Sequence, residues 1–284
     1  MAFTVNTNAG AMTALQSLAT TNKSLSQVQS RINTGFNVAS TKDDSASFSI
    51  AQSLRGDMGG LKAVSSSLNR AKSVVDVAVA GAEQVSDIII EMKKKAYESA
   101  DAGIDQASRD AIDQDFVTLR DRIATVVNSS EFNGTNILRA SGGSVSALQS
   151  LQDGVSGGSW NPDSLTVANQ GLDLGGSTVT VATTGRVNTQ VAAEAMVNTL
   201  NTTQANMRST LSTLGAASRR IDAQLSFSSR LSDVVESSVG NLVDADLAKE
   251  SAKLQAMQTK QQLGIQALGI ANQTPQLVLS LFRG

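Results

Sequence analysis

The chain has 284 residues and a net charge of −2, from 23 basic and 25 acidic side chains, with neither cysteine nor histidine. Disulfides, thiolate chemistry, cysteine or histidine zinc sites and histidine-based proton transfer are therefore excluded, and no cofactor is expected. The longest basic run is Lys93-Lys94-Lys95, which reads as a solvated helix face, not as the basic stripe of a nucleic-acid binder.

Aromatic residues make up 3% of the chain, so a core must be filled by Leu, Ile, Val and Ala, as in helix-on-helix packing. Residues 1–22 lack both a basic start and an unbroken apolar run, so no signal peptide is read there. No stretch approaches the ~20 apolar residues of a membrane span, so no membrane partner is expected.

In chain order, the first predicted helix covers residues 11–32, with Ala11, Leu15, Leu18, Leu25 and Ile32 on one face and Asn22 and Gln29 interrupting it. Thr34-Gly35 ends it, because glycine readily takes the left-handed conformation that closes helices. Ser40-Thr41-Lys42-Asp43 reads as the cap of a second helix that runs to about Glu98. Leu61, Val64, Leu68, Ala71, Val75, Ala78, Ala82, Val85, Ile89, Met92 and Ala96 alternate spacings of three and four along it, the pattern of a coiled-coil seam. Asp101-Ala102-Gly103 turns the chain into a third helix bearing Ile112, Phe116, Leu119, Ile123 and Val126, and Asn133-Gly134 closes this half with a turn.

Residues 141–185 hold nine of the 22 glycines and only three charges. Within them, Leu172-Asp173-Leu174, Gly175-Gly176 and Ser177–Val181 predict a β-hairpin. Helix resumes near Asn188, with Val197, Leu200, Met207, Leu211, Leu214, Ile221 and Leu225 on its face. The last predicted helix, 240–272, places Leu247, Leu254, Ile265 and Leu268 beside Ser251, Gln258, Gln261 and Asn272. Such polar-interrupted faces predict terminal helices that pair weakly alone and are ordered by neighbours. The fold class expected is mainly α: a long antiparallel coiled-coil helical rod with a small β-hairpin region in the middle of the chain.

Specific blocks then resemble one family. Arg31-Ile32-Asn33-Thr34-Gly35-Phe36, Ala39 and Lys42-Asp43-Asp44-Ser45-Ala46 are similar to the amino-terminal block of bacterial flagellins. Glu131-Phe132-Asn133-Gly134 resembles that family's turn after the third helix. Arg208, Leu214-Gly215-Ala216 and Arg220-Ile221 resemble its carboxy-terminal rod helix. Asp244-Ala245-Asp246-Leu247-Ala248, and Ala271 through Leu281, resemble its last helix. Thr34, Ser47 and Arg219 depart from the usual Ser, Gly and Asn without disturbing helix or turn chemistry.

The resemblance implies a structural subunit that self-polymerises into the extracellular flagellar filament, with no catalysis. Residues 1–43 and 240–284 would form the inner-tube domain. Residues 44–189, with a variable region at 141–185, and 190–239 would form the rod domain. Export would run unfolded through the flagellar type III apparatus, aided by an export chaperone. Further implied partners are other copies, sister flagellins, the filament cap and hook-associated proteins.

The alternative is the hook–filament junction protein, against which the complete Arg31–Ala46 block and Leu214-Gly215-Ala216 weigh. Asp43-Asp44, Asp110/Asp113/Asp115 and Asp244/Asp246 could hold a cation in principle, but read as caps and solvated faces.

Arg31, the only charge between Lys23 and Lys42, is expected to pair with Asp43 or Asp44 of its own or an adjacent subunit. Leu247, Leu254, Ile265 and Leu268 are expected at assembly contacts. The resemblance also places the receptor-recognition arginine and leucine of Toll-like-receptor-activating flagellins at Glu91 and Lys95, a departure at both positions. Short insertions at Gly157-Gly158 are expected to leave assembly intact.

Overall fold

The computed structural model describes residues 7–153 and 162–281, with backbone alone at 152–153, 162 and 274–281. The described helices are α1 (Ala9–Thr34), α2 (Ser45–Ala100), α3 (Gln106–Ser129), α4 (Gln190–Val243) and α5 (Leu247–Leu281). Two strands, β1 (Val145–Asp153) and β2 (Pro162–Val167), stand between α3 and α4. Contacts divide the chain into two compact units, residues 1–56 with 234–284, and residues 57–233.

Residues 57–233 are organised by the α2 seam. All eleven heptad positions from Leu61 to Ala96 are buried, at no more than 6% exposure. α4 runs antiparallel to this part of α2, as Lys72 meets Asp222 at 2.7 Å and Lys93 meets Gln204 at 3.2 Å. Leu200, Met207, Leu214 and Ile221 of α4, and Phe116 and Ile123 of α3, complete the core. Each such side chain contributes roughly 1.5–3 kcal/mol by leaving water.

The end of α3 is tied down by Asn136, whose amide donates to Val127 O while its carbonyl oxygen accepts from the Leu138 and Arg139 amides. Asn133 and Gly134 both take positive φ, 50° and 78°, and Phe132 and Thr135 bond reciprocally across that turn. The turn dipeptide thus does what its chemistry predicts.

The middle of the chain corrects the expected hairpin. β1 and β2 pair antiparallel, Val145 opposite Val167 and Ala147 opposite Leu165, with the register shifting between Leu148 and Asp153. Residues 172–181 form a loop with one parallel bridge, Leu174 to Val179, instead of a hairpin. The reason is burial: Leu172, Val179 and Val181 all enter the core. Thr180 turns its hydroxyl to Thr203 and Thr199 of α4, so side chains supply hydrogen bonds that a partner strand would have given. Gly157-Gly158 lies outside the described residues.

In the other unit, Gly35 caps α1 with φ 74° and its amide on Arg31 O. The last two helices divide differently from the expected 240–272. α4 continues to Val243, the chain breaks at Asp244–Asp246, and α5 runs past Pro275 to Leu281. Asp246 caps the new start, accepting from the Lys249 amide at 3.0 Å.

Candidate assembly surface at the terminal helices

α1 and α5 pack antiparallel within their unit, through a thin seam. Their register is set by Asn8 on Ala271, Gln261 on Asn22 at 2.8 Å, Leu18 against Gly264, and Arg31 beside Glu250. The approach is close at Gly264, where an added Cβ would stand 3.2 Å from Leu18 Cδ1. Along α1 only Ala11 and Val28 are buried apolar residues.

The apolar residues of α5 are spread round the helix. Leu254 and Leu268 are half-buried, whereas Leu247, Leu263, Ile265 and Ile270 are 50–67% exposed. On α1, Met12 and Leu15 are exposed as well, at 65% and 54%. Sequence periodicity grouped Leu15 with Leu18, but the two diverge because the seam follows Ala11, Ala14 and Leu18.

The residues expected at Arg31 regroup. Its nearest carboxylate is Glu250, at 3.8 Å, not Asp43 or Asp44. The Glu250 side chain is 5% exposed and its Oε1 also accepts from Lys253. Arg31 Nε and Glu250 Oε2 are buried without a hydrogen-bond partner among the described residues.

Asp43 instead closes the turn before α2, its Oδ2 accepting from the Ala39 and Ser40 amides and the Ser40 hydroxyl. Asp44 is the cap of α2, accepting from the Ser47 hydroxyl and the Ser47 and Ala46 amides, which hold its carboxyl below the usual range. Both carboxylates were nearer Arg31 in sequence, but local amides claimed them first.

The linking turn after α1 is fastened to the α4–α5 break. Asn37 and Val38 donate to Val243 O, Ala245 donates to Gly35 O, and Phe36 bridges Asp244. Val38, Ala51, Val239 and Val243 form a small core there, and the Arg55 guanidinium stands over the Phe36 ring. The Arg31–Ala46 block is thereby a structural junction.

The other acidic clusters disperse. Asp110 meets Gln106, Asp113 accepts from the Val187 amide and Arg186, and Asp115 meets Lys95 at 2.7 Å. Among the described residues no group of three could hold a metal ion, and no helix is long and apolar enough to cross a membrane. Glu91 is exposed on α2; Lys95 lies against α3, and the Asp115 carboxylate raises its pKa.

Long helices, one dense seam and one thin seam with apolar outer faces define a helical structural subunit whose ends have surface left to bury. Residues 5–142 match the bacterial flagellin N-terminal helical region, and residues 184–282 the bacterial flagellin C-terminal helical region. Flagellin FljM of Caulobacter vibrioides is 43% identical over 98% of both chains, and a flagellin of Brucella melitensis 34% identical over 98% of both. The solved structure of a putative flagellar hook-associated protein from Vibrio parahaemolyticus shares the fold alone, with TM-score 0.56 and 14% identity over 71% of this chain and 100% of that one.

The chain belongs to the bacterial flagellin family and is a structural subunit of the flagellar filament. Full-length relatives at 34–43% identity are flagellins, so the junction-protein alternative is not favoured.

Proposed function

We propose that residues 1–43 and 240–284 form the inner tube of the filament and residues 44–239 the rod packed outside it. The single observation carrying this reading is the exposed apolar surface of α5 beside a seam too thin to bury it. Copies of the chain, joined by sister flagellins, cover that surface in the polymer. Heterologous contacts that do not close on themselves generate open helical filaments. The reading extends to unfolded export through the type III apparatus with a chaperone, and to addition at the extracellular tip beneath the cap, on hook-associated proteins at the base. It assigns no catalysis.

Removing residues 245–284 tests it. The truncated chain should stay helical by circular dichroism, since the α2 seam is untouched, yet form no filaments under negative stain. Filaments of normal length from the truncated chain would overturn the assignment.

A further inference from the structure

Two outward rows of charge in residues 57–233 are opposite in sign and have no ion-pair partner among the described residues. On α2, Glu83, Asp87 and Glu91 follow one another at four-residue spacing, all exposed. Like charges at that spacing destabilise a helix, and none of the three has an ion-pair partner among the described residues. Beside them Ile90 and Tyr97, one heptad apart, are 52% and 54% exposed.

On α4, Arg208, Arg219 and Arg230 recur every eleven residues, three helical turns, and so share one exposed face. They too lack an ion-pair partner among the described residues. Between them the same face carries Ala216, Ala223 and Phe227, the last 56% exposed.

We propose that in the filament the arginine stripe of α4 in one copy docks on the acidic stripe of α2 in another. The occupant follows from complementarity: the three carboxylates and the three arginines are rows of unpaired charge of opposite sign, Lys94 beside the first row being turned to Glu98 and Asp222 beside the second to Lys72. Each row is interleaved with apolar residues, and each lies on the same chain as its complement. The acidic row spans about 12 Å of helix axis and successive arginines stand about 16 Å apart, so two guanidinium forks bracket the row. The alanines between them allow close approach, with Ile90, Tyr97 and Phe227 supplying the apolar contact. In an open filament the contact is heterologous, each copy giving its α4 row to one neighbour and receiving another neighbour's on its α2 row. The inference rests on the polymer reading above and assigns one lateral contact within it.

Charge reversal tests the pairing on the purified full-length chain, with assembly read by sedimentation. Glu83→Arg, Asp87→Arg and Glu91→Arg together give two basic stripes; Arg208→Glu, Arg219→Glu and Arg230→Glu give two acidic ones. Each set should raise the critical concentration by on the order of tenfold or more while leaving monomer helicity unchanged. All six changes in one chain restore complementarity and should restore assembly, with elongation from its own seeds but not from wild-type seeds. Wild-type assembly by either single set, or failure of the six-change chain to assemble, would overturn the pairing. Both results leave the truncation test above to judge the filament reading separately.

Discussion

Asn8 performs two tasks with one amide. Its Oδ1 accepts from the Ala11 amide and caps α1, while its Nδ2 donates to Ala271 O at 2.8 Å. That carbonyl would ordinarily accept from residue 275, which is proline and has no N–H. The cap of the first helix thus fills the hydrogen-bond vacancy that proline leaves in the last. Asn8→Asp keeps the cap and removes the donor. It should cost about 1 kcal/mol, read as faster amide hydrogen exchange across the α1–α5 seam. In a Pro275→Ala background the backbone supplies the missing donor and the cost should vanish; an equal cost in both backgrounds would disprove the link. None of this pairing is legible locally, because Asn8 and Ala271 lie at opposite ends of the sequence. The same distance hid Glu250 behind Asp43 and Asp44 as the partner of Arg31. Charge isolation in the sequence announced that Arg31 needed a carboxylate, but only the α1–α5 register names which one.

Elements whose signal repeats are the ones legible in the sequence. Eleven successive heptad positions define the buried face of α2, so no single exception could mislead. The 172–181 segment offered only four alternating residues around two glycines, a pattern shared by a hairpin and a buried loop. β1 was hidden by its serines and glutamines. Glycines inside α2 show the same dependence on context. An added Cβ at Gly81 would lie 2.2 Å from Ser130 Oγ and 2.9 Å from Leu138 Cδ1, whereas one at Gly59 meets nothing within 4 Å. Gly81→Ala should therefore destabilise the fold by roughly 1–3 kcal/mol, and Gly59→Ala should stabilise it by roughly 0.5–1 kcal/mol. Thermal unfolding shifts of the same sign for both would contradict this. Helix starts carry a pH signature. Asp44 is held below the usual carboxylate range by the Ser47 hydroxyl and then the amides, and Asp105 by Ser108 in the same way. A carboxylate depressed on folding stabilises the fold at neutral pH, and that contribution is lost as acid titrates it through the lowered value. Asp44→Asn with Asp105→Asn keeps both caps but removes their charge, so that contribution should be missing already at neutral pH and the fall in acid should flatten. An unaltered acid limb, by circular dichroism from pH 7 to 2, would count against the caps.

At the scale of the molecule, the α2 face proposed for the contact between copies is also the one that the family resemblance proposes for recognition by vertebrate hosts. We propose that Glu91 and Lys95 stand where receptor-activating flagellins present an arginine and, four residues later, a leucine. Glu91 reverses the charge. Lys95 is turned to Asp115 at 2.7 Å and Glu98 at 3.7 Å, so no apolar anchor stands free at that position. An opposite charge at the centre of a binding hot spot removes an arginine's contribution and adds repulsion, a loss that reaches several kcal/mol. Depolymerised protein should therefore activate the flagellin-sensing Toll-like receptor poorly in a reporter assay. The paired change Glu91→Arg, Lys95→Leu should raise signalling. The same change removes one carboxylate from the acidic stripe and should weaken self-assembly, so gain in recognition and loss in polymerisation are expected in one variant. Strong signalling by the unaltered monomer would refute the first expectation. A variant that signals yet assembles at the wild-type critical concentration would show that Glu91 stands outside the contact between copies.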